Sequence, residues 1–205
     1  MRGEVARDLS DSAYDFKRVV WPAIRDRCGG GELQPVEAVS PGEFERKLDV
    51  LAGIDAWQII NDRGIRGISS RIQWLEDNPD GTPAWWETFT IRKSRPSGAP
   101  TEWQKRTSGI NNNGGFISPA LIVHAYIGLP RRHGALNYVC MTRSDDLFAL
   151  ATDEMEGAKY NMKGKAWYLQ GNPSDGVKFA VFEVAAMRKL GVDVRTECPA
   201  SAATP

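Results

Sequence analysis

Apolar residues recur at helical spacing from about Ser10 to Arg27, with Ala13, Phe16, Val20 and Ile24 on one face, and the run stops at Gly29-Gly30-Gly31. Pro22 lies inside this stretch and predicts a kink, because proline has no N–H to donate to the carbonyl four residues back. Glu32 to Val39 reads as a strand. Ser40-Pro41-Gly42-Glu43 then supplies an N-cap, a proline at the first helical position and a capping-box glutamate, which predicts a second helix from Pro41 to Gly53.

The period then changes to two. Gly53 to Asn61 and Ile65 to Trp74 read as strands joined by Asp62-Arg63-Gly64, a three-residue turn whose glycine takes positive φ. With Asn61 paired to Ile65, the ladder sets Asp55 opposite Arg71 and Trp57 opposite Ser69. Ile68, Ile72 and Trp74 share one face of the second strand; Ser69, Arg71 and Gln73 share the other. Trp85 to Lys93 repeats the alternation, Phe89 and Ile91 against Thr88, Thr90 and Arg92. The expected product is a meander with one apolar face and one solvated face carrying Asp55, Arg71, Gln73 and Arg92. Its second linker, LEDNPDGTP, is turn chemistry throughout.

Further on, a helix opens at Thr101-Glu102, strands are predicted over Ala120 to Ile127 and Leu136 to Thr142, and Ser144 caps a short helix through Thr152. Ala166 to Gln170 and Val177 to Val184 read as strands followed by a helical turn over Ala185 to Leu190, although VKFAVFEVAAMRKL also fits one amphipathic helix. The fold class is α/β in the α+β sense: one domain over residues 1–196, a mixed, largely antiparallel central sheet flanked by helices, and a disordered tail over 197–205.

Composition narrows the function classes. A chain of 205 residues, 41% hydrophobic, is long enough for one substantial core. Twenty-six basic residues balance twenty-six acidic ones, so attachment to nucleic acid by bulk charge is excluded and any basic surface is a local patch. No apolar run approaches the roughly 20 residues that span a bilayer, and the charged opening MRGEVARDLSDSAYDF is unlike a signal peptide, so a cytoplasmic protein with no membrane attachment is expected. Cys28, Cys140 and Cys198 are odd in number with no CxxC, which argues against a disulfide framework or a thiolate zinc site. With only His124 and His133, nine residues apart, a His-based zinc site or a Ser-His-Asp triad is hard to build, and His124 within ALIVHAYI reads as a strand histidine. Chemistry here rests on carboxylates, lysine and arginine.

Two patches stand out. The polar face of the meander pairs an aspartate at a strand head with an arginine; a structural Asp55–Arg71 ion pair is the simplest reason for it. Arg92, Lys93, Arg95, Lys105 and Arg106 form the second patch, a basic segment able to neutralise several phosphates, with Glu102 placed to pair with Lys105 or Arg106. Trp103 between them reads as core, with stacking on a base as the alternative. Arg131-Arg132-His133 reads as a charged loop. Trp85 and Trp86 face opposite ways, so one is expected at the surface, where it offers a homodimer or another protein partner an aromatic contact.

A helix, then GID at the head of a strand, a tight turn, a second strand containing SSRIQ and a third reading FTIR resemble the PD-(D/E)XK nuclease superfamily over about residues 43–105. The resemblance implies a restriction-endonuclease-like fold and metal-dependent hydrolysis of DNA phosphodiesters, with Asp55 as magnesium (or manganese) ligand and Arg71 in place of the basic residue that orients water. Ser69 occupies the position where the family carries an acid or glutamine, and a hydroxyl is a poor ligand for a hard cation. Glu45 and Asp49, a helical turn apart ahead of Asp55, are the acids that would make up the deficit, with Arg71 or Gln73 positioning water or phosphate. The expectation is a magnesium-dependent endonuclease acting on DNA. Its rival is a catalytically inactive module of the same fold that binds nucleic acid or a protein partner.

Overall fold

The computed structural model describes residues 10–36, 53–61, 63–98, 101–107, 119–153, 167–171 and 176–199. The helix predicted from Pro41 to Gly53, with Glu45 and Asp49, lies outside the described residues up to residue 52, as do residues 108–118.

The first helix is under way at residue 10. Its irregularity falls where proline demands it: Phe16–Val20 is a π-helical turn in which the Trp21 N–H reaches back to the Phe16 carbonyl, and Trp21–Ile24 resumes the α-helix with Pro22 in its first turn. Phe16, Val20, Trp21 and Ile24 are buried, and the glycines at 29, 30 and 31 leave the helix with φ of 84°, 77° and 87°.

Among the described residues nine strands follow: β1 (Glu32–Pro35), β2 (Ala56–Ile60), β3 (Gly64–Leu75), β4 (Thr88–Ser94), β5 (Leu121–Gly128), β6 (Leu136–Arg143), β7 (Trp167–Gly171), β8 (Lys178–Glu183) and β9 (Arg195–Glu197). They form two sheets. The larger runs β1-β2-β3-β5-β6-β9, and the smaller runs β4-β8-β7. All pairings are antiparallel except β3 with β5, so the fold is a mixed α/β arrangement of a six-stranded mixed sheet, a three-stranded antiparallel sheet and a few helices.

The meander is corrected here. β4 does not extend the hairpin; β3 takes β5 as its parallel neighbour, and β4 leaves to edge the smaller sheet. Burial gives the reason. All eight residues of β5 are buried, as expected of a strand covered on both faces, whereas β4 alternates buried Phe89 and Ile91 with half-buried residues. The hairpin register also moves. Gly64 has φ of 113°, as expected, but it pairs with Ile60 and the loop is residues 61–63, so Trp57 faces Gly67 and the next position sets Asp55 opposite Ser69. A shift of two preserves faces, and Asp55, Ser69, Arg71 and Gln73 remain on one side.

That side is largely covered rather than solvated. The smaller sheet covers it, burying Phe89, Ile91, Trp103, Tyr126, Tyr138, Trp167 and Phe182 between the layers. The opposite side packs Ile68, Ile72, Val123, Ala125 and Ile127 against the first helix. VKFAVFEVAAMRKL divides into β8 and a helix over Val184–Lys189, and the region from Glu197, expected to be disordered, begins inside β9 with an ion pair from Glu197 to Arg27. Trp103 is core, Trp85 stacks on Tyr138, and Trp86 is 56% exposed against the edge of Tyr126. Arg131 lies over Trp74, while Arg132 pairs with Asp11. Among the described residues no helix is long and apolar enough to cross a membrane.

Candidate functional site

Where β4 leans over the larger sheet, a cleft of about 430 Å³ is lined by Asp55, Ser69 and Arg71 from the hairpin, Thr90, Arg92 and Arg95 from β4 and the turn after it, Glu102 from the short helix Glu102–Thr107, and His124 from β5. Asp55 lies at the head of β2 because its own N–H is bonded to the Ile68 carbonyl at 2.9 Å, while its Oδ2 accepts the Ser70 N–H at 2.5 Å. That backbone bond fixes the carboxylate at the rim.

Arg71 donates from Nη1 to the Thr90 carbonyl at 3.1 Å, and its guanidinium lies 4.7 Å from the centre of the Phe179 ring. Arg92 approaches the same ring at 5.9 Å. Burial, followed by the repulsion of Arg92, draws the Arg71 pKa down to about 10, against smaller opposing effects of Tyr126 and Glu102. His124 is buried and its Nδ1 accepts the Thr90 N–H at 3.1 Å, which places its proton on Nε2. Burial, with the Arg71 charge beside it, holds His124 well below the ordinary histidine range despite a bond to the Thr88 backbone. It is neutral at pH 7.

These contacts show why the inner face is polar. β4 is an edge strand whose Thr90 N–H and C=O point away from β8 toward the larger sheet, where His124 accepts from one and Arg71 donates to the other. Gln73 supports the same residue, its Nε2 3.4 Å from Thr90 Oγ1. The Cys140 thiol lies 3.7 Å from the Thr88 carbonyl and Tyr126 bonds the Thr88 hydroxyl at 3.2 Å. Side chains thus stand in for a missing neighbouring strand.

The structure therefore brings Asp55, Ser69, Arg71, Arg92 and Arg95 to one cleft and adds His124 and Glu102, which sequence reasoning had not placed there. Gln73 is engaged by Thr90 and does not line the cleft. Lys93 points the other way, its ammonium 4.9 Å from the Trp103 ring and 5.2 Å from Trp167, where burial and then Lys178 lower its pKa. The basic segment is thus split by strand alternation between two surfaces. The side chains of Lys105 and Arg106 lie outside the described residues.

As a magnesium site the cleft fits poorly. Its acids are Asp55 and Glu102, and among the described residues no group of three or more His, Cys, Asp or Glu comes together to hold a metal. Magnesium takes octahedral oxygen coordination anchored on carboxylates, and Ser69 is buried beside Asp55 without adding charge. What the cleft offers is guanidinium groups around a small, partly covered space. Comparison of the chain with family models, with curated proteins and with solved structures finds no match in any of the three.

Proposed function

We propose that the chain is a nucleic-acid-binding module with a restriction-endonuclease-like hairpin, and that the cleft at Arg71 holds the phosphate backbone of DNA. The observation that carries this reading is the pair of guanidiniums, Arg71 and Arg92, crowded onto one Phe179 ring, with Arg95 at the same cleft. Like charges so placed repel: burial is the larger cause of the lowered pKa of Arg71, and the charge of Arg92 adds to it. A phosphodiester between them turns repulsion into charge-assisted hydrogen bonding. Binding measured by fluorescence anisotropy on a labelled duplex should weaken in Arg92→Gln/Arg95→Gln. The slope of log affinity on log salt should fall by about two, nearly one per lost phosphate contact. Unchanged affinity in the folded double variant refutes the reading.

Hydrolysis is the second reading, favoured by one observation: Asp55 and Glu102 both line the cleft that the arginines line. On this reading manganese supports nicking of plasmid DNA, Asp55→Asn abolishes it while DNA affinity persists, and Ser69→Glu raises manganese affinity by adding the family's missing acid. The binding reading expects no nicking in wild type.

A further inference from the structure

A second cavity, of about 300 Å³, opens where β3 and β5 begin and β6 ends, on the side of the larger sheet that faces the first helix. It shares no residue with the cleft at Arg71. Arg27, Arg66, Arg143 and Arg195 line it together with one acid, Asp193, over a floor that includes Cys28, Leu121 and Met141. The floor is apolar and buried, with the Cys28 thiol 3.5 Å from the Met141 sulfur.

The arginines are not equivalent. Arg27 is paired with Glu197, and Arg195 with Asp193 at 3.1 Å. Arg66 has no carboxylate partner among the described residues: its Nε donates to Gln58 Oε1 at 2.6 Å and its Nη2 to the Cys28 carbonyl. Gln58 is fully buried and held in turn by bonds from its Nε2 to the carbonyls of Cys28, at 3.0 Å, and Gly30. A buried amide is thus committed to aiming one guanidinium, through neutral acceptors only, and leaves Arg66 Nη1 for whatever enters. Arg143 is exposed at the same cavity and makes no ion pair among the described residues. Half-buried Arg66, rigidly oriented, and exposed Arg143 thus bring to one cavity two guanidiniums that pair with no carboxylate among the described residues, and an entering anion gains charge-assisted hydrogen bonds from them.

We infer that this cup binds a phosphate monoester carried on an apolar or aromatic body of nucleotide size. The doubly charged phosphate matches Arg66 and Arg143, whose planar groups bond its oxygens. The body rests on Cys28, Leu121 and Met141, whose polarisable sulfurs suit a ring. The volume falls at the small end of ligand pockets, about 300–1,000 Å³.

Isothermal titration with adenosine 5′-monophosphate, adenosine and inorganic phosphate tests the inference. The nucleotide should bind saturably, and adenosine and phosphate each at least about tenfold more weakly, since each lacks one half of the contact. Arg66→Gln and Arg143→Gln should each weaken the nucleotide about tenfold or more, while Arg92→Gln, in the other cleft, should leave it unchanged. If Arg66→Gln fails to fold, Arg143→Gln carries the test, because that side chain is exposed. Absence of saturable nucleotide binding, equal binding of adenosine or of phosphate, or an unaltered Arg143→Gln each overturns it. Nucleotide binding that Arg92→Gln weakens and Arg143→Gln leaves intact would belong to the cleft at Arg71 and also overturns the inference, so the two sites fail separately.

Discussion

His124 shows what one residue contributes. Its imidazole accepts the Thr90 N–H inside the fold and stays neutral there, whereas in the unfolded chain it titrates near its ordinary pKa of about 6.5. Because the folded pKa is depressed, its contribution to stability is complete above about pH 6.5 and is lost as pH falls, when the unfolded chain takes up a proton that the folded protein refuses. Urea unfolding between pH 5 and 7 should therefore show stability rising with pH by up to about 1.4 kcal/mol per unit, and His124→Leu should abolish this slope. The same substitution orphans the Thr90 N–H and should cost about 1–3 kcal/mol at pH 7. A variant that keeps the wild-type pH slope would place the titration elsewhere.

At the scale of elements, the turns carry the most local information, and two glycines separate its kinds. Gly64 takes φ of 113° in open space, with no atom within 4 Å of where a Cβ would stand, so Gly64→Ala should cost about 1–2 kcal/mol through backbone strain alone. At Gly134 the backbone is ordinary, but a Cβ would lie 1.6 Å from the Gly128 carbonyl oxygen across the β5–β6 connection. Gly134→Ala should cost at least about 3 kcal/mol by forcing that connection apart. Chemical denaturation of both variants checks the order. Gly64 could be assigned from sequence because a tight turn between two alternating runs needs it; Gly134 could not, because its constraint is a carbonyl that only the folded hairpin brings near.

Across the whole molecule, stability rests on the layer between the sheets. Trp103 is buried against Trp167 at 5.0 Å and Phe182 at 6.3 Å, so Trp103→Ala should cost about 3–5 kcal/mol. Trp86, more than half exposed, should cost under about 1 kcal/mol when replaced by alanine. A large loss at Trp86 in the isolated protein would show that its contact with Tyr126 matters more than its exposure suggests.

Periodicity by itself determined most of the elements. The hairpin, the apolar Ile68–Ile72–Trp74 face, the buried strand around His124 and the glycine stop after the first helix all follow from local spacing and turn chemistry. So did the common side of Asp55, Ser69, Arg71 and Gln73, because a two-residue slip in register leaves faces unchanged. Which strand lies beside β3 was decided by tertiary structure. β5 enters from nearly fifty residues further along and takes the central position because it is apolar on both faces. That one choice sends β4 into a second sheet, turns a face that alternation marks as solvated into an interior, and converts Arg71, Gln73 and His124 into partners for the β4 edge. A period of two tells which residues share a side, but not what covers it, since burial depends on segments distant along the chain.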